Sequence, residues 1–325
     1  MKIAVVHEQI IEGRPDSEDL LDELAVVTGA LRTLGFQYET IALAAGLRQL
    51  YELLGRLSMF CPDVVFNLVE GHEAGQRLFP AVAGFFELAG FPLTGSRYDA
   101  ILTTTNKIIS KSMMATAGIP TPAWHIYDGV PLSLPPQCAY IVKPACEDAS
   151  VGIDDASVFT DCERLLEALP TTFATHRQPL LIEAFIAGRE INISIIEHKD
   201  GRPEVLPIAE IVFKDWPQGK PEIVNYDAKW LPQSFEYNNT IRRFNPEGIS
   251  ASDVRQTALQ CWRLFGLRGY ARVDMRVASS GDIYVIEVNA NPCISHDSGF
   301  MAAAAHADYT ETDIIRMIIE ASLKK

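Results

Sequence analysis

The chain has 325 residues, of which 48% are hydrophobic and 22% charged, as is typical of a globular protein with a substantial core. Its formal net charge is −14 and it contains no basic run, which argues against nucleic acid or an anionic membrane as a partner. Its apolar stretches are too short to predict a transmembrane helix, and its N-terminus lacks the pattern of a signal peptide. Six cysteines without CxxC spacing predict reduced thiols and a cytoplasmic location.

Strand and helix patterns alternate over the first 95 residues. Short buried strands are predicted at 2–7, 38–43 and 63–68, and amphipathic helices at 17–34, 47–57 and 74–89. This alternation predicts a parallel sheet in a small α/β domain at residues 1–95. Ligands bind at the carboxyl ends of the strands in such sheets, so the residues there are candidates for substrate contacts: Glu8, Glu12 and Glu70. The alternative is turn chemistry alone, which also places polar residues just beyond a strand.

Two lysines in the next part of the chain lie where a phosphate could be bound. Residues 103–118 predict a helix with Lys107 near its start, where a positive charge is unfavourable unless an anion is close. The alternative is an exposed lysine in a frayed first turn. The strand at 139–143 ends in Lys143, and the small-residue loop 144–152 could add backbone N–H donors to a phosphate. The motif GxxxxGK[ST] is absent, so this is not a Walker A loop.

The following stretch combines short strands with one long irregular segment. A strand pattern resumes at Ile153, and further strands are predicted at 180–185, 191–197 and 203–212. Residues 213–239 are weakly periodic and contain three lysines, including Lys229, and two tryptophans. Irregular segments of this length inside a domain are usually functional lids or disordered. The lysines and tryptophans favour a lid.

Residues 271–289 predict a β-hairpin. The runs 271–277 and 283–289 alternate with period two, and polar residues lie between them. A two-residue turn at Ser280-Gly281 would give these paired positions: Arg272–Asn289, Asp274–Glu287 and Met275–Ile286. The first two pairs lie on a polar face. The third belongs to an apolar face that also includes Tyr284 and that the core would cover.

The polar face of this hairpin sets two carboxylates opposite each other. Like charges directly opposite on a sheet are destabilising, so Asp274 and Glu287 predict a cation between them. Two carboxylates and the Asn289 amide oxygen suit Mg²⁺, a hard ion that also binds phosphates. The alternative is a solvated polar face with an incidental acidic pair. A helix at 250–265 precedes the hairpin, and a polar loop at 289–300 and a helix at 310–323 follow it.

Short motifs spread along the chain together resemble the ATP-grasp superfamily, and within it the D-alanine–D-alanine ligases. They occur in this order: Thr94-Gly95-Ser96, Asn106-Lys107, Ile141-Val142-Lys143-Pro144, Ser150-Val151-Gly152, Tyr226-Asp227-Ala228-Lys229, Arg272-Val273-Asp274 and Glu287-Val288-Asn289. Each motif is weak alone, but the joint order is specific and covers nearly the whole chain. The resemblance implies a mixed α/β, three-domain ATP-grasp fold. Its parts are an N-terminal parallel-sheet domain at 1–95, a central subdomain at 96–178, and a C-terminal subdomain at 179–325 with the lid at 213–239.

The resemblance implies a ligase that uses ATP and Mg²⁺, for which Mn²⁺ could substitute, to join a carboxylate to an amine through an acyl phosphate. The implied nucleotide contacts are Lys107 and Lys143 on the phosphates, Ser150 and Val151 over the triphosphate, Glu183, Ala184, Phe185 and Ile186 at adenine, Glu190 at ribose and Lys229 at the γ-phosphate. These residue types suit phosphoryl transfer, which needs positioning and charge neutralisation rather than a nucleophilic side chain.

The resemblance also implies metal, catalytic and substrate residues. The metal ligands are those of the hairpin: Asp274, Glu287 and Asn289. The catalytic set, in which the arginine neutralises the transferring phosphoryl group and the oxyanion, is Arg272, Lys229 and Ser150. The substrate contacts, for the ammonium of the first amino acid and the carboxylate of the acceptor, are Glu8 or Glu12, Arg272, Ser298 and Gly299.

Several positions depart from the family pattern, and most of them concern the amino acids rather than ATP. The first loop, residues 6–9, has no glycines, and Trp230 replaces the tyrosine of the lid. Cys293 replaces a glycine beside the oxyanion site, and Ala149 replaces one of the paired serines in the phosphate loop. We therefore expect a rebuilt amino-acid pocket, because losing one member of a buried polar network leaves its partners unpaired.

Three functions fit these observations. The first is D-alanine–D-alanine ligation in peptidoglycan synthesis, and the second is ligation of other amino acids or a peptide by the same mechanism. The third, of a different class, is a nucleotide-binding protein without ligase activity. The intact cationic and acidic positions argue against the third. Ligases of this family are commonly dimers, so the resemblance also implies a homodimer.

Overall fold

Three β-sheets carry the fold in the computed structural model, which describes residues 1–44, 46–70, 79–135, 139–147 and 150–323. The strands of the three sheets come from three successive parts of the chain, and helices pack against each sheet. This is the predicted mixed α/β class. Within the described ranges no helix is both long and apolar enough to cross a membrane. The predicted domain boundaries near residues 95 and 178 stay predictions.

The N-terminal sheet is parallel, as the alternating pattern predicts. Its strands are β1 (Lys2–Glu8), β2 (Gln37–Leu43) and β3 (Val64–Leu68), in the order β2-β1-β3. The helices of this region are α1 (Pro15–Thr33), α2 (Leu47–Phe60) and α3 (Phe79–Leu88). Residues 74–78 of the third predicted helix lie outside the described residues. The central strand β1 is almost wholly buried, which its run of apolar residues requires.

The single helix predicted at 103–118 is wrong, because the chain forms two helices there. They are α4 (Tyr98–Thr105) and α5 (Lys107–Thr116). Asn106 between them is extended, with φ −86° and ψ 100°, and its side chain accepts hydrogen bonds from the amides of Ile108 and Ile109. Asparagine is a strong N-cap, and here capping outweighs continuation of the first helix. The break places Lys107 in the first turn of α5.

The second sheet is antiparallel. Its strands are β4 (Trp124–Tyr127), β5 (Tyr140–Pro144), β6 (Val158–Phe159) and β7 (Leu180–Ala184), in the order β4-β7-β5-β6. Helix α6 (Cys162–His176) covers it and contributes Leu165 and Leu169 to a separate small core. The sequence did not predict β4 or α6. The strand expected at Ile153 is wrong as well, since β6 begins only at Val158 after a short 3₁₀ turn.

The third sheet is the largest and contains the hairpin. Its strands are β8 (Gly188–Glu197), β9 (Pro203–Val205), β10 (Ala209–Phe213), β11 (Thr240–Phe244), β12 (Tyr270–Ala278) and β13 (Ile283–Asn289). The order is β11-β10-β8-β12-β13, with β9 on β8, so the strand predicted at 203–212 is in fact two strands. Residues 213–239 contain two short helices, α7 (Tyr226–Trp230) and α8 (Phe235–Asn239).

Three further helices pack the large sheet against the N-terminal region. They are α9 (Ala251–Leu264), α10 (Gly299–His306) and α11 (Glu311–Ser322). Buried residues of β1 and β3 share one apolar cluster with α10 and α11, and those of α2 share another with β8 and β12. Burial of this continuous apolar surface holds the N-terminal sheet against the end of β12 and β13.

The hairpin confirms two predicted pairs and corrects the third. Arg272 is opposite Asn289 and Asp274 is opposite Glu287, but a bulge after Asp274 pairs Met275 with Val285 instead of Ile286. Val285 is therefore fully buried, and Ile286 lines a cavity beside Glu287. The Ser280-Gly281 two-residue turn is wrong too. Gly281 has a φ of +92° and its amide donates to the Ala278 carbonyl, which closes a three-residue loop.

Candidate active site

A cavity of about 870 Å³ lies among the second sheet, the large sheet, α1 and the 213–239 segment. Most of the residues predicted from the sequence line it: Lys143, Ser150, Glu183, Phe185, Ile186, Glu190, Lys229, Arg272, Asp274, Glu287, Asn289, Ser298 and Gly299. Lys107, Val151, Ala184, Glu8 and Glu12 do not. We call the part near β5, β7 and the hairpin the nucleotide end, and the part near α1, β11 and α10 the amino-acid end.

Lys107 is buried at the nucleotide end and is not an exposed lysine in a frayed turn. Only 6% of the residue is exposed. Its Nζ forms a 2.7 Å ion pair with Glu287 and donates to the Glu147 carbonyl at 2.6 Å. Burial opposes the ionised form of Glu287, but Lys107 and Lys229 outweigh it and lower the pKa of Glu287 to about 2. Lys107 therefore links the helix α5 directly to the hairpin carboxylate.

Glu183 at the end of β7 is held between two lysines. Lys111 lies 2.5 Å from one carboxylate oxygen and Lys143 lies 3.2 Å from the other. Burial favours the neutral acid, yet the two lysines lower the pKa of Glu183. Lys111 also donates to the hydroxyl of Thr121 at 2.7 Å. The sequence analysis missed Lys111, although it follows Lys107 by four positions on the same helical face.

Residues 183–186, which are predicted to contact adenine, already form several hydrogen bonds within the protein. The amides of Ala184 and Phe185 donate to the carbonyls of Ala123 and Ala139 at 2.8 and 2.7 Å. Arg276 donates to the Ile186 carbonyl at 3.1 Å, and its guanidinium lies 5.3 Å from the centre of the Phe185 ring. The side chain of Phe185 is thus backed by a cation while it faces the cavity.

Arg276 also holds Glu190, the residue predicted to bind ribose. The two side chains form a 3.0 Å ion pair, while Arg276 donates to the carbonyls of Gly188 and Glu222. Burial raises the pKa of Glu190 even though Arg276 acts in the opposite direction. Arg276 was not predicted as a functional residue. It lies two positions after Asp274 on the same strand, so the period-two pattern could have placed it on the polar face.

Asp274 is surrounded by hydrogen-bond donors. Arg272 donates to both of its oxygens at 2.8 and 2.9 Å, as a bidentate pair. Asn192 and Asn289 donate to the same carboxylate at 2.8 and 3.1 Å. The carboxylate of Asp274 raises the pKa of Arg272 against the effect of burial. The opposed carboxylates of the hairpin are therefore each neutralised by a basic side chain of the chain itself.

The residues at this face fit a divalent cation. Two carboxylates and an amide on adjacent strands are the hard oxygen ligands that Mg²⁺ prefers. Among the described residues there is no cluster of three or more histidine, cysteine or acidic side chains that could hold a metal. Asn289 lies beside Asp274 and would add an amide oxygen as a third ligand. This chemistry suits Mg²⁺ rather than Zn²⁺, which takes nitrogen and sulfur.

The 213–239 segment is hydrogen-bonded to the phosphate loop. Ser150 has a φ of +62° and its hydroxyl donates to the Val224 carbonyl at 2.8 Å. The amide of Tyr226 donates to the Ile153 carbonyl at 3.2 Å. Lys229 on α7 lines the cavity, and burial and the nearby Arg272 lower its pKa. The segment thus presents Lys229 to the cavity, near the charged side chains of the hairpin.

The amino-acid end has a different character. Asp19 on α1 accepts a hydrogen bond from the Cys293 thiol at 2.9 Å, and Glu23 accepts from the Ile294 amide at 2.6 Å. Burial raises the pKa of both carboxyls, and Glu70 raises it further. Asp19 and Glu70 line the cavity. The sequence analysis missed Asp19, because its place in an amphipathic helix gave no sign that it faces a cavity.

The substrate residues predicted from the sequence are only partly brought together. Ser298 caps α10 by accepting from the Met301 amide, and Gly299 begins that helix. Both line the cavity, as does Arg272. Glu8 is buried and accepts from the Glu70 amide at 3.0 Å, whereas Glu12 is exposed. Neither of these two acids reaches the cavity lining, because β1 ends behind Glu70.

The fold matches that of solved D-alanine–D-alanine ligase structures. A solved structure of D-alanine–D-alanine ligase from Bacillus anthracis complexed with ATP shares this fold with a TM-score of 0.75. The alignment covers 99% of this chain and 97% of that chain at 23% identity. This likeness confirms the predicted ATP-grasp fold.

Sequence comparison identifies the family. A family model described as D-ala D-ala ligase C-terminus matches residues 132–320. The chain is 30% identical to the D-alanine–D-alanine ligase of Moorella thermoacetica, with all of both chains aligned. It is also 30% identical to that of Gloeobacter violaceus, with 95% of this chain and 96% of the relative covered. The chain belongs to the D-alanine–D-alanine ligase family.

Proposed function

We propose that the protein is an ATP- and Mg²⁺-dependent ligase that joins two amino acids through an acyl phosphate. One observation carries this proposal: Arg272 lies at the junction of the two ends of a single cavity. It is bonded to Asp274 on the nucleotide side, and it lines the same cavity as Ser298 and Gly299 on the amino-acid side. A group transferred from one end to the other must pass this guanidinium.

The nucleotide end would bind ATP through cations and backbone. Lys107, Lys143 and Lys229 would contact the phosphates, with Ser150 and Val151 covering them. Residues 183–186 would receive adenine and Glu190 the ribose hydroxyls. Because Phe185 is backed by Arg276, its ring is held in place for stacking. Mg²⁺, when bound by Asp274, Glu287 and Asn289, would neutralise phosphate charge and orient the γ-phosphate.

The chemistry at the junction needs no protein nucleophile. The carboxylate of the first amino acid attacks the γ-phosphorus and ADP leaves, which gives an acyl phosphate. The amine of the acceptor then attacks the acyl carbon, a proton is lost and phosphate leaves, which forms the amide. Arg272 and Lys229 neutralise charge on the phosphoryl oxygens and on the oxyanion. The buried setting strengthens both interactions.

The amino-acid end would hold the two substrates by their charged groups. We assign the ammonium of the first amino acid to Asp19 and Glu70, in place of Glu8 or Glu12, because the former pair lines the cavity. The carboxylate of the acceptor would lie at Ser298, Gly299 and Arg272. Relatives are named D-alanine–D-alanine ligases, but Cys293 and Trp230 alter this end, so D-alanine is one arm of the test.

Two further properties are proposed on less specific grounds. We infer a cytoplasmic protein that forms a homodimer through its N-terminal region. The exposed apolar side chains there include Tyr51 and Met59 on α2 and Leu88 on α3, which are 79, 81 and 90% exposed. A molar mass of one chain, measured by light scattering over micromolar concentrations, would contradict the dimer.

The experiment that tests the function is incubation with ATP, Mg²⁺ and a panel of D- and L-amino acids. We expect phosphate release that requires an amino acid, together with a product whose mass is that of two amino acids minus water. Release with D-alanine alone would identify the activity of the named relatives. Release only with other amino acids would identify a different substrate pair. Nucleotide binding without any release would contradict the proposal and favour a non-catalytic role.

A further inference from the structure

Two polar atoms on β11 are buried without a hydrogen-bond partner, and both belong to residues that line the cavity. They are Thr240 Oγ1 and Arg242 Nε. The described residues contain one other such side-chain atom, an oxygen of Glu183, which has Lys111 at 2.5 Å as its ionic partner. Thr240 and Arg242 are two positions apart on a strand, so they face the same way. Buried donors normally have partners, so this pair requires an explanation.

Arg242 is also a cation without a carboxylate partner. Among the residues that the structure describes, no acid forms an ion pair with it, whereas the next residue, Arg243, pairs with Glu210. A terminal nitrogen of Arg242 lies 3.6 Å from the position that a Cβ on Gly299 would occupy, directly over the start of α10. Burial and the nearby Arg272 lower the pKa of Arg242, and Asp297 offsets this only in part.

Arg242 and Arg272 line the same cavity, and two guanidinium groups near each other repel unless an anion lies between or beside them. Arg272 already has Asp274 as a bidentate partner and has a role in the proposed reaction. Arg242 and Thr240 therefore supply additional donors at the amino-acid end. A planar guanidinium and a hydroxyl together match a carboxylate, which accepts two parallel hydrogen bonds from an arginine.

We propose that Arg242 and Thr240 bind a second carboxylate, carried on the side chain of the acceptor, so that the preferred acceptor is an acidic amino acid. This inference rests on the proposed ligase function for its assignment to an acceptor. Ser298 and Gly299, which would take the α-carboxylate, adjoin Arg242. The proposed phosphate lysines come from α5, β5 and α7, and the acids that would take the first ammonium come from α1 and the segment just after β3.

The test is equilibrium binding by calorimetry, with Mg²⁺ and a non-hydrolysable ATP analogue present throughout. The ligands are D- and L-aspartate, D- and L-glutamate, and alanine of each chirality. We expect wild type to bind one acidic amino acid at least about 10-fold more tightly than alanine of the same chirality. Arg242→Gln should weaken the binding of that acidic amino acid by roughly 10- to 100-fold, which is the size of one lost charge-assisted contact. The affinity for alanine should change by less than about twofold.

The chain offers a matched control on the same strand. Arg243→Gln removes the neighbouring arginine, which pairs with Glu210 away from the cavity, and should leave both affinities unchanged. Arg242→Lys keeps the charge but loses the paired N–H donors of the guanidinium, so we expect an intermediate loss of affinity for the acidic amino acid. The thermal midpoint of each variant, measured alongside, would identify a loss of binding that comes from unfolding.

Three results would overturn the inference. They are equal wild-type affinity for acidic amino acids and alanine, an equal loss for both in Arg242→Gln, and a loss confined to the ATP analogue when the analogue itself is titrated into each variant. The last result would place Arg242 on the triphosphate. The binding measurement does not depend on turnover, so acid binding without phosphate release would contradict only the ligase function. Phosphate release that requires neutral amino acids alone would contradict only the acidic acceptor.

Discussion

The two ends of the cavity differ in how their charges are balanced. At the nucleotide end each described carboxylate that lines the cavity has a basic partner: Glu183 has Lys111 and Lys143, Glu190 has Arg276, Glu287 has Lys107 and Asp274 has Arg272. At the amino-acid end Asp19 and Glu23 contact a thiol and an amide, and Arg242 has no acidic partner among the described residues. Among the described residues the charges of the nucleotide end are paired within the protein, and we propose that ligands pair those of the amino-acid end.

This difference explains where the chain departs from its family pattern. An end whose charges are already paired suits ATP, which is the same ligand in every reaction, because its charged groups are held in one geometry before ATP binds. An end with unpaired charges selects substrates that carry the complementary charges, since a substrate without those charges leaves buried groups unpaired. The departures Trp230 and Cys293 both line the cavity, and Cys293 contacts Asp19 at the amino-acid end.

The largest effect is expected from Glu287→Ala. The change removes one of the two opposed carboxylates and leaves the buried Lys107 without its 2.7 Å partner. We expect kcat to fall by at least about 10,000-fold, or more than about 5 kcal/mol in the barrier, because both phosphate positioning and metal ligation are lost. Phosphate release in single-turnover assays measures this. Near-normal turnover would contradict the metal assignment, and Asp282→Ala in the exposed turn is the control.

The next effect is on stability, from Lys111→Met. Lys111 is 1% exposed and Glu183 is 2% exposed, so removing the lysine leaves a buried carboxylate with Lys143 alone. Breaking a buried pair from one side costs about 3–5 kcal/mol, and we expect a loss of that order in urea unfolding. Adding Glu183→Gln should recover part of the loss, because the uncompensated charge is gone. A single variant as stable as wild type would show that Glu183 is not balanced by these lysines.

A smaller effect is expected at the amino-acid end from Trp230→Tyr. This change restores the tyrosine that the family pattern has, at a position that lines the cavity. We expect the ratio of kcat/KM between two amino acids to shift by about 10-fold, while KM for ATP changes by less than about twofold. Trp216→Phe is the control, since Trp216 packs against Phe213 and Phe235 instead of lining the cavity. A change in KM for ATP without a change in amino-acid selectivity would contradict the assignment of Trp230 to the amino-acid end.

The smallest effect concerns the pH dependence of stability in Glu23→Gln. Burial raises the folded-state pKa of Glu23 above its unfolded value, so the folded protein holds this proton more tightly. Stability is therefore lost as pH rises from the unfolded pKa through the folded pKa. Glutamine does not titrate and can still accept from the Ile294 amide.

We expect the Glu23→Gln variant to gain about 2 °C in thermal midpoint relative to wild type at pH 8, and less at pH 5. Differential scanning calorimetry at several pH values gives this difference. Glu18→Gln changes an exposed carboxylate on the same helix and serves as the control. A difference in thermal midpoint between the Glu23→Gln variant and wild type that does not grow with pH would show that the pKa of Glu23 is not raised in the folded protein.

The N-terminal sheet and two pairs of the hairpin follow well from the sequence because their signals are periodic. Alternation in the first 95 residues predicts the parallel sheet, and period two in the hairpin predicts the pairs Arg272–Asn289 and Asp274–Glu287. The bulge after Asp274 is invisible to this pattern, since Tyr284, Val285 and Ile286 are all apolar and allow either register. Which of them enters the core is decided by packing against the helices.

The buried cations could not be predicted in the same way. Lys111, Arg276 and Arg242 have long side chains whose burial depends on partners distant in sequence, such as Glu183 on β7 or Glu190 on β8. A helical or strand period places such a residue on a face but does not say what covers that face. The break at Asn106 is a similar case, because its capping bonds compete with an otherwise acceptable helix.

We propose that the two ends of the cavity meet at Arg272, where the γ-phosphoryl group of ATP is transferred to the carboxylate of the first amino acid. Positional isotope exchange tests this most directly, with ATP carrying ¹⁸O at the β,γ-bridge, Mg²⁺ and the first amino acid only. Reversible acyl-phosphate formation frees the β-phosphate of ADP to rotate, so the account predicts label in its non-bridging positions without any acceptor. ATP that stays bound with its label unscrambled, for every amino acid tried, would contradict the account.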